Sequence, residues 1–470
     1  MSVLNPGYMD KDVVEASGLF DANFYLAKYP DIGSSGTDAL THYMAFGRVE
    51  NRDPSAMFSS SGYCYRYPDV KLSGCHPLIH YLALGQHCDW SGVPHIRGYR
   101  QFLAIRKTIM ICGHAASYQL YGAELSLLDI AAALCNSGLN VVLTLPEALN
   151  GGYIEKLKQF CSDIHIVPQI WWRYGRAEQQ GITAQFTRLL KQYNVSLLHA
   201  NTIVHFEPLI AARLAAIPVV IHARELPALD PALCDVFGAS PEQTRTYVNS
   251  MADLVISNSR FTADFFQAAS CHVVYNSVKF VSVLPERSGK SALTVAMISS
   301  NLPKKGLDDF CQLLQMATLD RALRFKLIGP ENEHTARIAE KCGGKWPENL
   351  ELIGYVANIQ DALADVDVVV NMSNFQESFG RTVAEAMASG KVVIAYRWGA
   401  LTELIVHNVD GFLVPFADVK SIALTLNHLQ QNPARVEAIG QHALSSAKQK
   451  FDLKSVSEHL LLAYTELWSE

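Results

Sequence analysis

The chain of 470 residues has no run of about 18 consecutive apolar residues, which excludes a conventional membrane-spanning helix. It has no basic excess either, since 39 Lys and Arg stand against 45 Asp and Glu for a formal charge of −6. A dominant nucleic-acid role is thereby excluded, because binding phosphate needs a basic face. Its ten cysteines, from Cys64 to Cys342, contain no CxxC pair or regular framework. They are expected to be buried thiols rather than disulfides or zinc ligands. The opening Met1-Ser2-Val3-Leu4-Asn5-Pro6 lacks the basic and apolar regions of a secretory signal. A cytoplasmic location is therefore expected, with peripheral contact at the inner face of the membrane as a refinement.

The front of the chain repeats itself. Phe20, Tyr25, Tyr29-Pro30-Asp31, Gly36, Leu40, His42-Tyr43 and Gly47 recur 38 residues later without a gap. Their counterparts are Phe58, Tyr63, Tyr67-Pro68-Asp69, Gly74, Leu78, His80-Tyr81 and Gly85. Each unit reads as a helix ended by Tyr-Pro-Asp, a Gly turn and a second helix stopped by Gly. Residues 1–100 are thus expected to be a helical repeat module serving a homo-oligomer contact or a partner enzyme. His42 and His80 are expected to be core histidines. A basic linker with Arg97, Arg100, Arg106 and Lys107 follows.

From Lys107 onward, short Val/Ile/Leu runs alternate with helical patterns, as in parallel sheets with crossover helices. The first series is 108–112, 140–144, 196–199, 219–222 and 252–256; the second is 294–298, 325–328, 350–353, 366–370 and 392–395. The fold class is α/β, with domains expected at 101–285 and 286–455 and a C-terminal helix at 456–470 returning to the first. Two such sheets predict a ligand cleft faced by both. Ligands of open α/β sheets gather beyond the carboxyl ends of the strands. That directs attention to Gly122, which opens a helix after the first strand, and to Asn201, Arg224 and Glu225, which follow later ones.

The most specific string is Glu377-Ser378-Phe379-Gly380-Arg381-Thr382-Val383-Ala384-Glu385, trailed by Gly399, Glu403 and Gly411-Phe412-Leu413-Val414. It resembles the EX7E signature of the retaining glycosyltransferases of the GT-B fold, family GT4. The resemblance covers residues 107–470 and implies a metal-independent hexosyltransferase with a nucleotide-diphosphate sugar as donor. A glycan, lipid-linked or protein acceptor in bacterial surface polysaccharide or glycoconjugate synthesis is implied as well. It gives Glu377 to a donor-sugar hydroxyl and Glu385 to the ribose. It gives Lys305 to the diphosphate, with Lys304, Gly329, Tyr355, Ser378, Phe379, Gly380 and Arg381 around the nucleotide. Catalytic roles are expected for Glu377, Lys305, Asn201, Arg224 and Glu225. Two departures stand out: Ser300 occupies the place of a family Arg, and Asn201 that of a histidine. The repeat resembles units found beside bacterial polysaccharide glycosyltransferases.

Asp365-Val366-Asp367 has the form of a metal-binding DxD, but its place before a buried strand reads as structural. Trp171-Trp172-Arg173-Tyr174-Gly175-Arg176 is an expected acceptor or membrane-surface contact. Rival readings are a sugar-nucleotide epimerase or phosphorylase of the same architecture, and a non-catalytic nucleotide-sugar or glycan-binding protein. No metal or other cofactor is expected. Activity should accordingly persist in EDTA; complete loss restored by Mg²⁺ or Mn²⁺ would contradict the metal-free reading.

Overall fold

The computed structural model describes residues 11–116, 119–281, 292–316, 318–341 and 344–468. The chain forms two compact units. One comprises 1–256, 266–272 and 461–470, the other 257–265 and 273–460. The sequence boundary at 285/286 and Cys342 lie outside the described residues.

In the first unit the repeats build three short helices each, not two. Ala22–Lys28, Pro30–Ser35 and Ala39–His42 are followed by Ser60–Arg66, Pro68–Ser73 and Pro77–Ala83. Tyr-Pro-Asp is a junction rather than a stop: proline disfavours helical backbone before it but is well suited to start a helix. Tyr29 and Tyr67 take nearly the same angles there, φ −123° and −125°. His42 and His80, expected in the core, are half-buried at its edge, and their Nδ1 atoms lie 2.9 and 3.1 Å from the hydroxyls of buried Tyr25 and Tyr63. The spatial repeat runs further than the sequence match. Asp53 and Ser91 donate backbone N–H to Tyr29 and Tyr67, while Pro54 and Gly92 carbonyls accept from Asp21 and Ser59.

The repeats lean on an eight-stranded sheet. Its strands are β1 (His95–Arg97), β2 (Thr108–Cys112), β3 (Asn140–Leu145), β4 (Asp163–Ile166), β5 (Val195–Ala200), β6 (Val219–Ala223), β7 (Leu254–Ser257) and β8 (Cys271–Val273). The order is β1-β4-β3-β2-β5-β6-β7-β8, with β1 antiparallel to β4. So the chain leaving the repeats becomes the edge strand, covering backbone groups that β4 would otherwise expose. Gln185 donates to the Ala56 carbonyl at 2.7 Å, and Ser61 Oγ accepts from Ala148 N–H at 3.0 Å. Near the C-terminus, Tyr464 hydrogen-bonds His199 and Trp468 donates to the Ser196 carbonyl, so residues 461–470 complete this unit.

The second unit holds a six-stranded parallel sheet. Its strands are β9 (Thr294–Ile298), β10 (Arg324–Ile328), β11 (Leu350–Ile353), β12 (Val368–Asn371), β13 (Val392–Tyr396) and β14 (Phe412–Val414), in the order β11-β10-β9-β12-β13-β14. Both faces are covered, which is why the strands read as continuous apolar runs. Val368, Val370, Val392 and Ile394 join one core and Val369, Val393 and Ala395 the other. Asp367 serves the sheet, accepting from Thr294 N–H at 2.9 Å. Among the described residues eight cysteines are free thiols, but Cys311 is disulfide-bonded, so the expectation of thiols alone fails there.

A buried cation ties the repeats to the first sheet. Lys28 Nζ lies 2.6 Å from Asp53 and 3.6 Å from Glu147 at the end of β3. Burial pushes the Asp53 carboxyl up to about 6 in spite of Lys28. Removing one partner of such a pair strands the other in a dry site. Lys28→Met should therefore lose about 3–5 kcal/mol in chemical denaturation.

Candidate functional site

In the second sheet the strand order reverses between β9 and β12, and the crevice beyond such a switch point is where open α/β sheets hold ligands. The loops that follow these strands carry the candidate residues. After β9 the chain turns at Gly306, φ +81°, so close to the end of β12 that a Cβ would stand 1.7 Å from the Met372 carbonyl oxygen. After β10, Gly329 at φ +152° lies against the Ser299 carbonyl and the Asn301 side chain. Asn301 fastens these two loops by donating to the Pro330 carbonyl at 3.1 Å, and Asn332 adds bonds to the Ser300 and Asn301 carbonyls.

This packing brings Lys305 Nζ to 2.7 Å from Glu377 Oε1, which also accepts from Ser373 Oγ at 2.8 Å. Both side chains stay partly open, 20% for Lys305 and 14% for Glu377. Lys304 and Lys305 each stand 4.9 Å from the ring centroid of Phe375, a cation–π arrangement that keeps two positive charges on one loop. Phe375 had drawn no attention in the sequence. Gly380, φ +86°, starts the helix Arg381–Ala388, and its missing Cβ leaves room for Leu401. Within that helix Arg381 Nε donates to Glu385 Oε1 at 2.9 Å, four residues on.

The other candidates divide. Ser378 Oγ accepts from Asn258 at 3.4 Å, while the Phe379 side chain is buried against Tyr275 and Phe451, leaving its backbone as the part able to meet a ligand. Tyr355 is exposed on the loop after the edge strand β11. Glu403, from the trailing part of the motif, is structural: its carboxylate accepts from Arg260 and Phe261 N–H and from the Tyr275 hydroxyl. Among the described residues no group of three or more His, Cys, Asp or Glu is placed to hold a metal ion.

In the first unit, buried Arg224 clasps Asn201, with Nε donating to its carbonyl and Nη2 to Oδ1, both at 3.0 Å. The same Nη2 lies 3.1 Å from His222 Nδ1. Glu225 turns back to accept from Arg224 and Ile203 N–H. Burial pushes the Glu225 carboxyl up. Gly122 begins the helix Gly122–Asn136. In the aromatic segment, Trp172 is buried and stacks on Tyr247, whereas Trp171 and Tyr174 are exposed.

The geometry has clear counterparts. Residues 121–280 match the family model described as Glycosyltransferase Family 4, and residues 290–432 that described as Glycosyl transferases group 1. HepE of Anabaena, solved in complex with UDP-glucose, aligns with a TM-score of 0.60 at 22% identity over 77% of this chain and 100% of its own. TarM aligns with 0.61 at 14% identity over 76% and 98%. The chain therefore has the GT-B fold. Each of its two sheet domains is similar to the glycosyltransferase group that one of the two models describes. An uncharacterized 42.6 kDa protein of the cps region of Klebsiella pneumoniae is 30% identical over 211 residues, 44% of this chain and 50% of that protein. The poly(ribitol-phosphate) α-N-acetylglucosaminyltransferase of Staphylococcus aureus is 28% identical over 171 residues, 36% and 34% of the two chains. The chain thus spans at most about half the length of these curated relatives.

The histidines at the ends of β5 and β6 make a pH prediction. Burial first, then Arg224 and His205, brings His199 down to about 3; burial, then His114, does the same to His205. His222 is lowered by burial, Arg224 and His199. A base whose folded pKa is depressed stabilises the fold above its unfolded value of 6.5 and loses that contribution as pH falls towards 3, because only the unfolded chain then takes the proton. Scanning calorimetry should show the melting temperature falling over that window, with a shallower fall in His222→Gln.

Proposed function

We propose that the protein is a retaining, metal-independent glycosyltransferase that moves a sugar from a nucleotide-diphosphate donor to a glycan or lipid-linked acceptor of a bacterial surface polymer. The observation that carries this reading is the Lys305–Glu377 contact at the switch point of the second sheet, beside Gly380 and the Arg381–Glu385 pair. A carboxylate accepts two hydrogen bonds at once and so grips sugar hydroxyls well. Glu377 takes a donor-sugar hydroxyl in this reading, and Glu385 the ribose.

Lys305 neutralises the departing diphosphate, which makes catalysis mainly electrostatic and positional. Lys304, held on the same Phe375 ring, supplies the second positive charge where Ser300 offers none. UDP-glucose bound to HepE supports a nucleotide-sugar donor of this kind, and the staphylococcal transferase supports a cell-surface polymer as acceptor class. The repeats at 1–100 are proposed to bind a second copy or a partner enzyme, and exposed Trp171 and Tyr174 to face the acceptor or the inner membrane surface.

The glutamates separate nucleotide binding from turnover. A hydrogen bond to a charged group is worth about 1.5–3 kcal/mol, so Glu385→Gln should weaken the free nucleoside diphosphate by roughly ten- to a hundredfold in calorimetry. Glu377→Gln should leave that affinity nearly unchanged while lowering turnover of the sugar donor. Equal weakening by both variants, or turnover untouched by either, would count against these roles.

A further inference from the structure

The second unit takes in a short stretch of chain, residues 257–265, which runs from the end of β7 towards β8. It has no part in the roles above, yet it is fastened to the loop that carries Glu377. Glu403 accepts from Arg260 N–H at 2.9 Å and from Phe261 N–H at 3.1 Å, at the start of the helix Arg260–Phe266. The first N–H groups of a helix have no partner within it, and a carboxylate suits them. The Tyr275 hydroxyl donates to the same carboxylate at 2.9 Å. Burial, then Glu403, pushes that phenol up to about 12, so it stays a donor.

Further contacts reach the backbone on both sides of the Glu377–Ser378 peptide. Thr262 Oγ1 accepts from Ser259 Oγ at 3.0 Å and lies 2.9 Å from Asn258 Oδ1 and 3.3 Å from the Ser378 carbonyl, the two acceptors open to its proton. Asn258, Ser259 and Thr262 are all buried. From the other side, Ala400 N–H donates to the Glu377 carbonyl at 3.1 Å. That approach needs Gly399, φ +55°, where a Cβ would stand 3.0 Å from the same carbonyl oxygen. Ala400 immediately precedes the helix Leu401–Leu404, which carries Glu403. The contacts therefore close into a ring that runs from Glu377 through Ala400, Glu403 and the start of the helix Arg260–Phe266 to Thr262 and back to Ser378. Two consecutive carbonyls of the loop are held by it, apart from the Lys305 and Ser373 contacts on the Glu377 carboxylate itself.

We propose that Thr262 and Glu403 are positioning residues for Glu377, holding the backbone of residues 377 and 378 so that the carboxylate meets a donor-sugar hydroxyl in the geometry that turnover needs. This rests on the glycosyltransferase reading. Thr262 is fully buried, and Glu403 spends its carboxylate on Arg260, Phe261 and Tyr275, so both act through Glu377. A displacement of about 1 Å at a reacting group costs on the order of a hundredfold in rate, which makes the ring matter for the sugar step. Lys305 and Glu385 lie outside the ring and keep their places without it. Affinity for the nucleotide alone is therefore independent of Thr262 and Glu403.

The test uses the full chain with UDP-, GDP- and dTDP-glucose, with water or alkyl hexosides as acceptors. Release of the nucleoside diphosphate gives turnover, calorimetry with UDP, GDP and dTDP gives nucleotide affinity, and the melting temperature checks that each variant is folded. Thr262→Val keeps the shape and removes the hydroxyl; it should lower turnover about tenfold with nucleotide affinity unchanged, and Thr262→Ser should restore most of the rate. Glu403→Gln should act in the same direction, and carries the test should Thr262→Val fail to fold. In a Glu377→Gln background neither substitution should cost more than about twofold further, because a residue that acts through Glu377 then has nothing left to position. Equal losses in both backgrounds, or folded variants that turn over like the wild type, overturn the proposal. Nucleotide binding without turnover of any donor also overturns it while leaving the nucleotide site standing. Failure of the wild type to bind any of the three nucleotides overturns the donor reading itself, and this proposal with it.

Discussion

The candidate donor site depends on how closely three loops approach at the carboxyl end of the second sheet. A side chain at Gly306 would enter the Met372 carbonyl and one at Gly329 the Ser299 carbonyl. Only glycine allows the turn after β9 to lie on the start of the β12 loop, and only then does Lys305 reach Glu377. Once that approach is made, Asn301 and Asn332 bind the neighbouring loop to it. The ion pair is thus a consequence of backbone fit. Its partial exposure keeps both charges accessible to a ligand.

The two sheets treat charge differently at their strand ends. The second leaves lysines near the surface, where an ammonium keeps its charge and can meet an anion. The first buries imidazoles and an arginine, and burial combined with Arg224 holds His199 and His222 neutral. Neutral rings and unsatisfied amide or hydroxyl groups suit hydroxyl-rich ligands better than phosphates.

The repeats show how a module apparent in sequence becomes part of a larger unit. Their aromatic core is self-contained, with Tyr25, Tyr43, Phe58 and Tyr63 fully buried. Yet the chain leaving them adds β1 to the sheet, and Lys28 spends its charge on Asp53 and Glu147. A buried lysine needs such partners, which gives the contact geometric specificity.

The sequence by itself determined the parallel sheets, because strands buried on both faces must be continuously apolar, and it determined the 38-residue repeat and the Glu377–Glu385 string. It could not show β1, β8 or β14, which are only three residues long, or β4, whose Asp163-Ile164-His165-Ile166 breaks the apolar run with polar residues. Nor could it show the break at Tyr29 and Tyr67, where proline starts a helix instead of ending one. Only the tertiary structure decided that Lys305 meets Glu377, that Phe375 carries two lysines, that Phe379 turns inward, and that His114 faces Glu124 across ten residues. These are contacts between loops, fixed by the packing of strands distant in sequence or by the turn between a strand and its helix. Residue spacing along the chain does not encode them.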